Sequence, residues 1–200
     1  MTRALIIFLK YPELGRCKTR LAETIGDENA LKIYKKLLSH SHHITKDLPV
    51  DKFLYFDTQT DKNLEWEGNY KIAHQKQSDL GGRMEQAFAD VFGQAYYKVI
   101  IIGSDCIELK TEIINDAYRQ LNHYDVVIGP AKDGGYYLLG LNNPTPELFK
   151  NIEWSTNTVL SDTIKTIQNL GLTYSFMPVL SDIDIEEDLT EELRGVIKTY

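Results

Sequence analysis

The sequence predicts an α/β protein with a mostly parallel central sheet, and three observations carry that prediction. Short apolar runs alternate with longer segments whose apolar residues recur at a period near 3.6, the signature of successive βα units. The run Val99-Ile100-Ile101-Ile102 is apolar at every position, as a strand covered on both faces must be. The 200 residues, 42% of them hydrophobic, suffice for one substantial core, and no repeat or long linker divides them. A single domain over residues 1–200 is expected.

The first strand falls at 4–9 and empties into a turn marked by Pro12 and Gly15. In the long helix that follows, Ala30, Ile33, Tyr34, Leu37, Leu38 and Ile44 share one stripe, with Asp27 as the expected N-cap after Gly26. Strands at 52–56 and 70–74 come next. They lead to a helix whose stripe is Leu80, Met84, Ala87, Phe88, Val91 and Phe92, stopped by Gly93. The central strand at 99–102 precedes a helix carrying Ile113, Ile114, Ala117 and Leu121. Strands at 126–128 and 136–141 flank a glycine-rich turn. A helix with Leu160, Ile164, Ile167 and Leu170 then ends at Gly171. A strand at 173–177 and a helix over 186–198, with acids in its first turn, complete the pattern. Ligands of open α/β sheets bind outside the carboxyl ends of the strands, so the chemistry is sought just after each one.

A net charge of −7 argues against a nucleic-acid or membrane-surface partner held by bulk electrostatics. No apolar run approaches the roughly 18 residues of a membrane span. The opening Met1-Thr2-Arg3 lacks a signal-peptide pattern, and Cys17 and Cys106 are too few for a disulfide framework, so a cytoplasmic setting is expected. Neither a heptad pattern nor an outlying apolar patch marks an oligomer.

Against this acidic background, Lys10, Arg16, Lys18 and Arg20 crowd the carboxyl end of the first strand. The segment Gly15-Arg16-Cys17-Lys18-Thr19 is not a Walker loop, which needs a glycine directly before the lysine. Turn amides, a helix N-terminus and arginine forks nevertheless suit a phosphate chain. The alternative is a solvated basic helix start, which is disfavoured because each cation there opposes the helix dipole by about 0.3–1 kcal/mol. Arg83 sits at another helix start, in the turn Ser78-Asp79-Leu80-Gly81-Gly82. Cys17 lies among cations that should lower its pKa, but no histidine-based triad can be placed around it.

Four further segments follow strands or turns. Asp105, after the central strand, is placed to hold Mg²⁺ or Mn²⁺, which take one or two carboxylates plus substrate phosphates; capping the next turn is the other reading. In Asp133-Gly134-Gly135 the glycines let backbone approach a ligand and Asp133 suits sugar hydroxyls or an acceptor, unless the segment is a plain hairpin turn. Alternation places Asp182 and Asp184 on one face, fit for a second metal contact, although an acidic helix start has the same composition. Trp154-Ser155-Thr156 presents an exposed aromatic that either stacks on a base or sugar or covers the edge of the core.

Taken together, the run from Lys10 through Pro12, Gly15, Lys18, Thr19 and Arg20 to Leu21, the Gly103–Asp105 segment and Asp133-Gly134-Gly135-Tyr136-Tyr137 resemble a known family. Trp154-Ser155-Thr156 and Asp182-Ile183-Asp184 with Glu187-Asp188-Leu189 complete the match, which spans nearly the whole chain. The family is the glycosyltransferase-like DUF2064, also called selenodomain-associated or arsenosugar-biosynthesis glycosyltransferase-like. The resemblance implies the GT-A fold of nucleotide-diphospho-sugar transferases, a three-layer α/β/α sandwich similar to guanylyltransferases of molybdenum-cofactor and phospholactate metabolism. It implies that Gly15, Arg16, Lys18 and Arg20 hold the nucleotide's phosphates, and Lys10, Thr19 and Arg83 are expected to face the nucleotide with them. Asp105 with Asp182 or Asp184 would hold the metal, Lys18, Asp105 and Asp133 would be catalytic, and Asp133, Gly134, Gly135, Trp154, Ser155 and Thr156 would meet the second substrate. The chain departs from the family in having Ile107 where proline is usual after the metal aspartate, and Ser78 for a glycine.

Two enzyme readings follow. In the leading one a metal-dependent glycosyltransferase moves a sugar from a nucleotide sugar to a small-molecule acceptor. In the alternative a nucleotidyltransferase joins a nucleoside triphosphate to a phosphorylated small molecule and releases pyrophosphate, a leaving group that the basic loop suits. A nucleotide-binding module without turnover is the third reading.

Overall fold

Alternation along the central strands divides the apolar core in two. The computed structural model describes residues 2–58, 64–76 and 78–198. Leu5, Ile7, Leu54, Phe56, Ile100, Ile102 and Leu138 point to one face of the sheet, while Ala4, Ile6, Phe53, Tyr55, Val99, Ile101 and Leu139 point to the other. Both sets are buried, because both faces carry helices.

The sheet is formed by β1 (Arg3–Leu9), β2 (Asp51–Phe56), β3 (Tyr70–His74), β4 (Lys98–Gly103), β5 (Val126–Pro130), β6 (Tyr136–Leu141) and β7 (Tyr174–Phe176). Their order is β3-β2-β1-β4-β6-β5-β7. Every neighbouring pair is parallel except those of β6, which runs against both β4 and β5. All seven expected strands are present, and the expected α/β/α layering with a mostly parallel sheet is found. On the first face lie α1 (Thr19–Ile25), α2 (Asp27–Thr45), α4 (Thr111–Gln120) and α6 (Glu191–Lys198), through Leu21, Ile33, Leu37, Ile114, Tyr118 and Leu193. On the second lie α3 (Leu80–Phe92), α5 (Val159–Asn169) and a 3₁₀ turn at Pro146–Phe149, through Met84, Phe88, Val91, Ile167 and Phe149. Among the described residues no helix is long and apolar enough to cross a membrane.

Two local expectations need correction. Asp27 is the first residue of α2 and not its cap; Gly26, at φ +81°, takes the cap position and separates α2 from the short α1. The helix expected over 186–198 is interrupted. The Asp188 carboxylate accepts from the amides of Asp184 and Ile185, both at 2.9 Å, which closes Glu186–Asp188 into a 3₁₀ turn. Leu189 then turns extended into the core before α6 begins. The Asp133-Gly134-Gly135 turn does join β5 to β6 as a hairpin, so the plain structural reading of that segment holds beside any functional one.

The far edge of the sheet is tied at its base. The Asp125 carboxylate accepts from the Thr173 amide and hydroxyl at 2.8 and 2.7 Å, fastening the start of β7 to the start of β5. These bonds hold the Asp125 carboxyl below its ordinary pKa. Asp125→Ala is therefore expected to cost about 1 kcal/mol in urea unfolding at pH 7. Because the folded-state pKa is depressed, the native advantage is present above the unfolded carboxylate value of about 3.9 and fades as pH falls through the folded one. Unfolding curves of the two proteins should converge at low pH.

Candidate active site

At the carboxyl ends of β1 to β4 the sheet opens into a cleft of about 790 Å³. Register sets out its floor. Leu9 pairs with Phe56, Phe56 with His74 and Phe8 with Gly103. The first residues past the strands therefore stand side by side: Gln75 after β3, Asp57 after β2, Lys10 after β1, and Ser104 and Asp105 after β4. Beyond β4 the reversed strand β6 presents its N-terminal end, so that Asp133, Gly135 and Tyr136 extend the same floor.

The centre of the cleft is knotted by Lys18. Its Nζ donates to Asp105 Oδ1 at 2.8 Å and to the Ile183 carbonyl at 2.5 Å, joining three distant parts of the chain. The Lys18 side chain is only 5% exposed, whereas Asp105 is 44% exposed. Lys18 also occupies the left-handed region (φ 52°, ψ 45°) as the N-cap of α1, a conformation costing on the order of 1 kcal/mol that these bonds must offset. Arg20 pairs with Asp184 above the knot. Beneath it the Tyr34 hydroxyl accepts from the Lys10 amide at 2.7 Å and lies 3.4 Å from Ser104 Oγ, fixing the β1 and β4 ends together.

The acids cluster on the other side. Burial, followed by the charges of Asp105 and Asp133, pushes the Asp182 carboxyl up to about 7, against the opposing pull of Lys18. The cleft thus has cations from the first loop on one flank and an excess of carboxylate on the other. Among the described residues, no three histidine, cysteine or acidic side chains are grouped closely enough to hold a metal unaided.

The far wall is built by close backbone approach. Gly134, at φ +91°, lies against the backbone of Asn157, where a Cβ would meet the carbonyl oxygen at 2.2 Å. The Gly134 carbonyl accepts from Leu160, which docks the hairpin on the start of α5. Ser155 is left-handed at φ 64°. Trp154 is half-buried rather than exposed, packed on Phe149 and directly on Gly81 of α3.

Of the residues singled out in the sequence, Lys10, Lys18, Thr19, Arg20, Arg83, Asp105, Asp133, Gly135, Trp154, Ser155, Thr156, Asp182 and Asp184 line the cleft. Gly15 and Arg16 do not; Arg16 is turned outward to Glu13 at 3.2 Å. Gly134 supports the wall from behind. Cys17 does not behave as its neighbours in sequence suggested. Burial raises the pKa of Cys17 despite Lys10 and takes Cys106 up to about 12, so both are held as thiols. Asp57, Gln75, Tyr34, Ser104 and Asn157 also line the cleft and were not singled out. Asp57 and Gln75 directly follow strands, so the rule of looking there could have found them. Tyr34 had no such signal, since it sits within an apolar helix stripe.

The architecture and cleft define a transferase of the nucleotide-diphospho-sugar and nucleotidyltransferase fold. The model of DUF2064, described as an uncharacterized protein conserved in bacteria, matches residues 40–156, and the chain belongs to that family. Along its length it is similar to 2-phospho-L-lactate guanylyltransferase from Methanocaldococcus vulcanius, 26% identical over 98% of this chain and 87% of the relative. The crystal structure of a protein from Desulfovibrio desulfuricans G20, assigned as a nucleotide-diphospho-sugar transferase, superposes with a TM-score of 0.87 at 28% identity. That match covers 100% of this chain and 99% of the other. The inositol-1-phosphate CTP transferase of T. maritima shares the fold at a TM-score of 0.62 and 12% identity, over 98% of this chain and 95% of that one.

The Trp154–Gly81 contact can be probed directly. A Cβ at position 81 would lie 2.2 Å from the indole Nε1, so Gly81→Ala must displace the ring. We expect a loss of about 1–3 kcal/mol. In a Trp66→Phe background, which leaves Trp154 as the remaining indole of the chain's two, its emission should shift to the red.

Proposed function

We propose that this protein is a nucleotidyltransferase that joins the nucleotidyl unit of a nucleoside triphosphate to a phosphorylated small molecule. The observation that carries this reading is the meeting, around the Lys18–Asp105 pair, of loop cations and cleft carboxylates at one end of the sheet. Likeness to guanylyltransferases over nearly the full length supports it. In this reading residues 1–200 act as one catalytic domain.

An oxygen of the acceptor phosphate attacks the α-phosphorus, the bond from that phosphorus to the bridging oxygen breaks, and pyrophosphate leaves with the bond electrons. Lys10 and Arg20 offset the charge that develops on the departing pyrophosphate. Lys18 has three N–H donors, of which Asp105 and Ile183 take two, leaving one for a substrate oxygen. Asp133, Gly135 and the Trp154-Ser155-Thr156 turn form the wall for the acceptor. Gly15 shapes the loop, and Arg16 stays outside the grip.

The residues present fit Mg²⁺ or Mn²⁺. Asp105 with Asp182 or Asp184 offers hard oxygen donors, and the Asp182 carboxyl, raised first by burial and then by the charges of Asp105 and Asp133, stands where a cation would offset like charge. When bound, such an ion polarises phosphoryl oxygens as a Lewis acid. Substrate phosphates would complete its coordination, in keeping with the absence of a three-ligand cluster among the described residues.

Two measurements test the proposal. In thermal-shift assays with magnesium, a triphosphate at about a hundredfold excess over its Kd should raise Tm by roughly 5–10 °C. Asp105→Ala should abolish that shift. Turnover with phosphorylated hydroxy acids or sugars should release pyrophosphate, and Asp105→Ala should slow it by about 100-fold or more. Free nucleoside diphosphate from a nucleotide sugar, without pyrophosphate, would instead select glycosyl transfer. No response to any nucleotide or nucleotide sugar overturns both enzyme readings.

A further inference from the structure

Strands β1 and β4 end side by side, and a charged residue leaves the sheet just past each end: Lys10 after β1 and Asp105 after β4. The ladders on the two sides of β1 finish at Phe8–Gly103 and Leu9–Phe56. Lys10 lies one residue beyond the last paired position, so its amide and carbonyl take partners from outside the ladder.

One side chain serves both groups. The Tyr34 hydroxyl, carried up from α2, accepts from the Lys10 amide at 2.7 Å and donates to the Lys10 carbonyl at 3.0 Å. Its proton is committed to that carbonyl, which makes Ser104 the donor in the 3.4 Å contact between the two hydroxyls. One proton given and two lone pairs filled leave the phenol no capacity for a substrate atom. Tyr34 and Ser104 are 2% and 5% exposed, so the clamp is shut away from bulk water, where an orphaned polar group is costly. Burial and the nearby Asp105 charge push the Tyr34 pKa up, which keeps the phenol protonated as the clamp requires.

A phenylalanine would fill the same space in the core; what the hydroxyl adds is direction. Lys10 is exposed, so packing guides its side chain little and its reach depends on where its backbone stands. Lys18 differs, since Asp105 and Ile183 hold its ammonium directly. The clamp therefore bears on one cation of the loop and leaves the buried one alone.

We infer that Tyr34 is a positioning residue for the transfer and acts through Lys10: its hydroxyl ends β1 and aims Lys10 at the phosphate chain beside Asp105. This rests on the nucleotidyltransferase reading above. Loss of the hydroxyl frees the backbone of Lys10 and spreads its ammonium over more positions.

A double-mutant cycle separates this role from a purely structural one. The full chain is titrated calorimetrically in magnesium buffer with ATP, CTP, GTP and UTP, and the tightest of the four is carried through Tyr34→Phe, Lys10→Met and the double variant. Each single variant should weaken binding by about tenfold, and the double variant should be no weaker than Lys10→Met by more than about twofold. Melting temperature should behave otherwise. Tyr34→Phe should lower Tm by about 2–4 °C in either background, because the lost bonds go to the Lys10 backbone and not to its side chain. Binding losses that multiply to about a hundredfold in the double variant overturn the inference and leave the nucleotide reading standing, since Tyr34 would then act elsewhere than through Lys10. So does an unchanged affinity in Lys10→Met, which keeps every bond of the clamp and decides the matter even if Tyr34→Phe does not fold. If none of the four triphosphates binds the wild type, the nucleotide reading fails and this inference fails with it.

Discussion

The rest of the site depends on one buried ammonium group. Lys18 Nζ reaches the acid at the end of the central strand and the Ile183 backbone carbonyl, and the ammonium itself is shielded from water although Asp105 opens to the cleft. Removing one partner of such a pair leaves a charge stranded in low dielectric, and that cost, more than the strength of the pair, makes the arrangement hard to alter. The same group holds the left-handed turn that starts α1, sets the height of the basic loop above the sheet, and fixes Asp182 and Asp184 on either side of Ile183.

That knot divides the cleft electrically. Cations of the first loop lie over β1, and acids gather where the β5–β6 hairpin and the C-terminal segment meet. The reversed direction of β6 is what brings them there: a parallel strand would have presented its carboxyl end, not the turn that carries Asp133. Asp182 shows how far the imbalance goes, since a carboxyl pushed up to about 7 reports both burial and the crowding of like charge. Substrate phosphates and acids of this kind cannot share a site without cations between them, and the loop supplies cations from one flank only.

Much of this was legible in the sequence. Periodicity located all seven strands because each is either apolar throughout or cleanly bounded by turns, and the carboxyl-end rule drew attention to Asp105, Asp133 and Asp182. What escaped was decided by contacts between distant segments. Asp188 bonding back to the amides of residues 184 and 185 broke the last helix, although its composition is helical throughout. Lys18 reads as one cation among four and gives no sign that it alone is buried. The cation-rich surroundings of Cys17 were visible, but the burial that outweighs them was not. Tyr34 belongs to an apolar stripe, and only the fold shows that its hydroxyl emerges at the cleft floor.

The bond from Lys18 to Ile183 spans 165 residues of sequence. A chain emerging from the ribosome can lay down β1, β2 and most of the sheet while this contact does not yet exist. The loop it closes is among the longest that the chain can form, and contacts of such separation are entropically the slowest to be rewarded. The buried ammonium of the basic loop has no such partner until Ile183 has been made. Until then the charge arrangement around Lys18 lacks one of its two anchors.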